Sequence, residues 1–242
     1  MISTSAVTKQ KSEFFSGIQA GLTIAIGYFP VALTFGLLAE QTGLTLMETV
    51  MMSMFVFAGA AQYISLSFIA AGVGAAEIIL TTFIVNIRHF LMSASLNEKM
   101  EKDSLWKRML YSFGITDETF SVASVKQGTV STSYMFGLIF ISYASWVIHS
   151  GVGHVVGVNL PVVLQESMAI ALYALFIGLL VPSMKRHRKV LLLATFAAVM
   201  NSLFVLMEWL SAGWSIVVGT LSASIFVEWI WTKWKLEVKE DE

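Results

Sequence analysis

None of the 242 residues is cysteine. Disulfides, thiolate chemistry and cysteine-ligated metals are therefore excluded. Charge is scarce too: Asp, Glu, Lys and Arg make up 13% of the chain, about half the ~25% usual in a soluble domain. The net charge is −1, so no nucleic acid and no strongly acidic or basic partner is implied. The opening stretch, MISTSAVTKQKSEFF, is polar and lacks the apolar core of a cleavable signal peptide. The first apolar segment is expected to serve as its own insertion signal. A Gly-rich loop ending in Lys-Ser/Thr is missing, as are HExxH and GxSxG. ATP use, metal-assisted hydrolysis and an activated serine thus lack a motif, and no cofactor or metal is expected.

What the chain has instead is apolar length. Hydrophobic residues make up 56%, and mean hydropathy is +0.75. This composition belongs to an all-α, polytopic membrane protein, because lipid offers backbone groups no hydrogen-bond partner. A span needs about 20 apolar residues. Seven segments meet that rule, at 17–39, 47–72, 75–96, 132–150, 161–182, 190–210 and 212–232, and 109–126 is ambiguous. Seven to eight spans are expected, some of them discontinuous. Residues 1–16 read as a polar N-terminal segment, 17–232 as one transmembrane domain, and 233–242 as a polar tail.

The polar residues inside these runs are the candidates for chemistry. Gly27 and Pro30 fall together in the first segment and predict a kink or break there. That break is either a packing kink or a discontinuous helix lining a cavity. Gln62 follows the small residues Gly59, Ala60 and Ala61 and would bond a neighbouring helix or a substrate. In the third segment Thr82, Asn86, His89 and Ser93 form one polar stripe, and Thr81, Arg88 and Ser95 form another. Two polar faces imply burial in protein or water. An arginine at bilayer depth costs roughly 2.5–3.5 kcal/mol on insertion scales. Arg88 is thus either half of an ion pair or an anchor for a carboxylate. His89 is either a structural hydrogen bond or a proton site. Gly114 interrupts the 109–126 stretch, and Thr116-Asp117-Glu118-Thr119 follows. Thr116 or Asp117 suits the cap of a new helix, either at the surface or inside the membrane. In the second picture Asp117 or Glu118 pairs with Arg88 or carries a proton. Glu166 is expected at an interface, Asn201 between two helices, and Trp229, Trp231 and Trp234 in an aromatic belt.

The basic run 185–189 places that loop in the cytoplasm by the positive-inside rule, and Lys99, Lys102, Lys107 and Arg108 do the same for 97–108. Counting spans then conflicts with Lys9 and Lys11. Seven spans put the N-terminus outside, whereas those lysines favour the inside and demand eight. The stretches 36–46 and 151–160 are faintly alike, which points to an internal repeat.

GYFPVALTFGLLAEQTGL at 27–44, FAGAAQYISL at 57–66, NIRH at 86–89 and TDET at 116–119, in that order, resemble the AzlC (BrnF or YgaZ type) family. These are large subunits of bacterial branched-chain amino-acid exporters. The resemblance implies a small AzlD-type membrane subunit as partner and a place in the bacterial cytoplasmic membrane. It also implies export of leucine, isoleucine, valine and often methionine, driven by the proton motive force. A zwitterionic substrate needs a cation for its carboxylate, acceptors for its ammonium and an apolar pocket. Arg88 or the 116–119 helix start is the candidate for the first; Asp117, Glu118, Gln62 and Asn86 for the second; Phe55, Phe57 and Ile87 for the third. His89, Asp117 and Glu118 are candidates for proton coupling or gating. Two other classes compete: a non-transporting assembly subunit, and an intramembrane lipid-modifying enzyme using Asp117, Glu118 and His89.

Overall fold

The computed structural model describes residues 3–240; Met1, Ile2, Asp241 and Glu242, the ends of the two expected polar segments, lie outside the described residues. So do the side chains of Glu166 and Trp234. All named elements are helices: α1 Ser3–Gln41, α2 Leu46–Val56, α3 Gly59–Ala70, α4 Ala75–Asn97, α5 Leu105–Phe113, α6 Asp117–Val125, α7 Thr132–Val156, α8 Val162–Arg186, α9 Arg188–Leu206 and α10 Ala212–Glu240. Five stretches among the described residues are long and apolar enough to cross a membrane: Glu13–Gln41, Ala75–Asn97, Thr132–Asn159, Arg188–Leu206 and Gly213–Lys233. The segment expected at 161–182 lies within the unbroken 25-residue α8. Residues pack into two units, 1–70 with 85–171, and 71–84 with 172–242.

The first unit is built on α1 and α7, which lie side by side and run the same way. Glu13 accepts from Ser131 at 3.0 Å, Ser145 Oγ donates to the Ala25 carbonyl at 2.8 Å, and Leu37 reaches Gly157. Glycines set the spacing. A Cβ on Gly36 would stand 2.0 Å from the Ser150 carbonyl oxygen, and one on Gly153 2.1 Å from that of Leu33. Backbone meets backbone at these points, the close approach that small residues permit in membrane helices. Gly27 has nothing within 4 Å of its would-be Cβ. We predict that Gly36→Leu destabilises the protein by about 3 kcal/mol or more, the upper end of the cost of overpacking, while Gly27→Leu leaves stability unchanged. Thermal unfolding of the detergent-solubilised variants checks this.

The break expected at Gly27 and Pro30 is absent. Helix α1 runs through Pro30 for 39 residues. One lost bond to the Ile26 carbonyl does not stop a helix whose flanking turns are clamped on α7, and Thr34 Oγ1 donates to the Pro30 carbonyl at 2.8 Å.

The helix breaks fall elsewhere. Residues 47–72 are not one span but a hairpin that reverses at Phe57 and Ala58. Helix α2 runs down α7, with Thr49 Oγ1 2.9 Å from His154 Nδ1 and Ser53 Oγ donating to Ser150 Oγ at 2.8 Å. Helix α3 then returns: Gln62 Nε2 donates back to Ser53 at 3.1 Å, and the Tyr63 hydroxyl donates to the Val31 carbonyl at 2.7 Å. Phe57 makes the reversal with φ 37°. That left-handed conformation costs a non-glycine residue roughly 1–3 kcal/mol. Its ring stays buried against Tyr28 and Tyr143.

The 109–126 stretch forms a second hairpin, entering from the other end of α7. Helix α5 rises to Gly114, whose Cβ position is filled by the Ile139 side chain at 2.3 Å. Helix α6 descends, bringing Lys126 Nζ 3.0 Å from Glu13. At that end Lys99 Nζ donates to the Ser124 carbonyl at 2.6 Å, and the Val130 N–H donates to the Lys99 carbonyl at 2.9 Å. The start of the α1 span, the turn after α4, the end of α6 and the start of α7 therefore share one end of the unit.

In the second unit α9 and α10 pair antiparallel. Phe196 stacks on Phe226 with centroids 4.6 Å apart, Gly219 packs on the Asn201 backbone, and Lys189 pairs with Glu228. Asn201 does not join helices by its side-chain carbonyl, which is buried without a partner. Glu77, in the opening turn of α4, accepts from the Gly213 N–H at 3.2 Å and from the Ser211 hydroxyl at the start of α10.

Candidate functional site

The two hairpin tips meet in the middle of the first unit. Phe57 of one and Phe113 of the other have ring centroids 6.4 Å apart, and Tyr143 of α7 packs against both, 5.1 and 6.1 Å away. Tyr28, two-thirds of the way along α1, touches each tip. Its ring meets Phe57 and Trp146 edge to face. Its hydroxyl donates to Glu118 Oε2 at 2.6 Å and lies 2.8 Å from Thr116 Oγ1.

The α6 tip is held by its own chemistry. Thr116 is the N-cap, with its side chain accepting from the Thr119 N–H while Thr119 Oγ1 accepts from the Thr116 N–H at 2.7 Å. This reciprocal cap satisfies donors that lipid could not. Ile115, 1% exposed, pins the turn in the core. The cap leaves Asp117 and Glu118 in the first turn, where the helix dipole favours negative charge.

Asp117 Oδ2 lies 2.9 Å from Arg88 Nη1. Arg88 reaches it from α4 with one arm of its guanidinium. Its Nε is buried and has no partner, and neither has Asn86 Oδ1 two residues earlier. His89 follows Arg88 on α4 and is half-buried. The result is a chain of polar groups from α4 to α1: His89 and Arg88, then Asp117 and Glu118, then Tyr28. It contains one cation and two carboxylates, with guanidinium capacity left over. Such a site can take an anionic group at Arg88 and a cationic group or proton at the carboxylates. Among the described residues no three His, Asp or Glu side chains are grouped to hold a metal.

Three expected contacts lie away from it. Gln62 is fully buried: its amide donates to Ser53, and its carbonyl accepts from the Trp146 indole at 2.9 Å. It ties α2, α3 and α7 together and has no free face for a substrate. Phe55 is 68% exposed on α2 and Ile87 52% exposed on α4, so neither lines the tips. Phe57 does. The Thr82 hydroxyl, placed in a polar stripe, turns back to the Ile78 carbonyl of its own helix at 2.7 Å. Tyr28 is the residue that reasoning from sequence missed. Its signal was position: tyrosine belongs at membrane interfaces, and this one stands deep in an apolar run.

The fold and site define a multi-pass helical membrane protein with two broken hairpins closing on a charged pair. Comparison with known proteins narrows this. The AzlC protein family matches residues 23–160. The chain is 32% identical over 227 residues to the inner membrane protein YgaZ of Escherichia coli (strain K12), covering 89% of this chain and 91% of that one. It is 28% identical over 189 residues to a membrane protein of Helicobacter pylori (strain J99), covering 76% and 82%. It is 22% identical over 179 residues to the branched-chain amino acid transport protein AzlC of Bacillus subtilis (strain 168), covering 73% and 70%. No solved structure matches. The chain belongs to the AzlC family.

Proposed function

We propose that this chain is the large subunit of a secondary exporter of branched-chain amino acids, working in the bacterial cytoplasmic membrane with a small AzlD-type subunit. The observation that carries the reading is the Arg88–Asp117 pair at the tip of a broken hairpin, with Glu118 and Tyr28 beside it. Arg88 receives the substrate carboxylate, Asp117 or Glu118 receives the ammonium or the coupled proton, and the aromatic tips Phe57 and Phe113 form the apolar wall. Protonation of Asp117 releases Arg88 and opens the site, which couples export to the proton motive force. The name of the Bacillus subtilis relative, a branched-chain amino acid transport protein, supports the substrate class. Counterflow of labelled leucine into proteoliposomes holding both subunits tests the reading. Saturable exchange that needs this chain supports it; full exchange by the small subunit alone makes this chain an assembly factor.

The shared end of the first unit also bears on orientation. With the 97–108 loop cytoplasmic by its lysines, the start of the α1 span is cytoplasmic too, in agreement with Lys9 and Lys11. Six crossings, by α1, α4, α7, α8, α9 and α10, then satisfy every basic loop, because neither hairpin crosses. We predict that a fluorescent protein fused before residue 3 folds and fluoresces in the cytoplasm, while alkaline phosphatase fused after residue 43 is active. The reverse pair of results would exclude this topology.

A further inference from the structure

A separate groove runs between the C-terminal half of α4 and helix α5, with a volume of about 680 Å³. That is within the size range of small-molecule sites, roughly 300–1,000 Å³. One end holds Glu98 and Arg108, beside the charged turn; the other reaches His89, one residue from Arg88. Helix α5 explains why a groove exists. Its sequence, LWKRMLYSF, is strongly two-faced. Trp106, Leu110 and Phe113 are exposed on its apolar side, as lipid requires, while Arg108, Tyr111 and Ser112 turn to α4.

The polar face is not self-satisfied. Lys107 pairs with Asp103 at 3.2 Å, but among the described residues neither Arg108 nor Glu98 has an ion-pair partner. Tyr111 is 3% exposed and lines the groove, and its hydroxyl is buried beside Arg108 without a well-formed hydrogen bond. Arg108 lies beside that hydroxyl, and Arg108 itself is exposed along the groove. An exposed cation and an exposed anion on one groove, with an apolar wall from Phe90 and Met109, make a set of contacts for a small zwitterion with an apolar side chain.

We propose that this groove is an entry vestibule that binds the amino acid before it reaches Arg88. Arg108 takes the carboxylate, Glu98 takes the ammonium, and Phe90 and Met109 take the side chain. The proposal rests on the transport reading above and adds a second binding step, on the side of the 97–108 loop. A phosphatidylethanolamine headgroup has the same zwitterionic chemistry, so the test separates the two sources.

This chain has no native cysteine, so single cysteines at the groove have no background from it, and the small subunit is used in a cysteine-free form. Ser93→Cys and Ser112→Cys are placed separately in the full chain, assembled with its small subunit in phosphatidylcholine vesicles. A membrane-impermeant thiol reagent is applied from the side of the 97–108 loop. Both cysteines are expected to react, and leucine is expected to slow the reaction. Arg108→Gln should raise the half-protecting leucine concentration about tenfold, the loss of one hydrogen bond to a charged group. Protection should persist when Arg88→Ala is added, because the vestibule is a distinct site. Reaction rates unchanged by leucine, or protection lost with Arg88→Ala, would overturn the vestibule. So would protection produced by phosphatidylethanolamine without leucine. If leucine counterflow is intact and protection is absent, only the vestibule falls; if counterflow is absent as well, the transport reading falls with it.

Discussion

Replacing Arg88 by alanine is expected to lower leucine counterflow about 100-fold or more. The pair is part-buried, with side-chain exposures of 37% and 26%, so about 3 kcal/mol, within the 2–5 kcal/mol range for truncating a buried partner, is the expected loss, and each 1.4 kcal/mol is a factor of ten. Two losses coincide at this position. The substrate carboxylate loses its cation, and Asp117 loses the guanidinium 2.9 Å away. Arg88→Lys keeps the charge but not the planar fork whose Nε is free, so it should restore only part of the rate. Asp117→Asn separates the roles. It leaves Arg88 able to hold a carboxylate but removes the proton-sensitive latch. Leucine exchange should survive in that variant, while acceleration by an imposed pH gradient is lost. Initial rates of counterflow, with and without the gradient, check all three variants. If Arg88→Ala and Asp117→Asn both keep full, gradient-driven transport, the proposed mechanism is wrong, although membership of the family stands.

The second large effect is expected at Tyr28. Tyr28→Phe removes the hydroxyl that donates to Glu118 at 2.6 Å and contacts Thr116 at 2.8 Å, and keeps the ring against Phe57 and Trp146. A hydrogen bond to a charged group contributes about 1.5–3 kcal/mol, so a fall of roughly 10- to 100-fold in maximal rate is expected. Packing is retained, so the midpoint of thermal unfolding should fall only by the few degrees that this hydrogen bond accounts for. Tyr28→Ala removes the ring that touches both tips and should lower stability as well as rate. Counterflow against leucine concentration, paired with unfolding curves, distinguishes the two. A Tyr28→Phe variant with wild-type kinetics would mean that the hydroxyl holds nothing that moves during transport.

How much of this was legible in the sequence depends on whether a feature is local. The α6 start was readable, because Gly114 followed by Thr-Asp-Glu-Thr contains its own stop and cap. The need of Arg88 for a counter-charge was readable from the cost of a cation in lipid, and Asp117 was one of two nearby candidates. The first hairpin was not. Residues 47–72 have enough apolar length for a span, and the reversal rests on Phe57 adopting a left-handed conformation that aromatic packing from distant helices enforces. Pro30 misled for the matching reason. A proline marks a break only if the rest of the helix is free to separate, and the glycine-lined contact of α1 with α7 prevents that. Gln62 was ambiguous because either reading needs a polar side chain at depth. Only Ser53 and Trp146, 9 and 84 residues away, decide for the structural one. On the six-crossing topology proposed above, the conflict between basic loops and the N-terminal lysines comes from counting the first hairpin as a crossing.

On the proposed mechanism a zwitterionic amino acid binds at the Arg88–Asp117 tip. The most direct test is equilibrium binding of labelled leucine to the purified two-subunit protein. Saturable binding is expected, which Phe55→Ala leaves unchanged and Arg88→Ala weakens by about 100-fold or more. Leucine binding of undiminished affinity in the Arg88→Ala protein would contradict the mechanism.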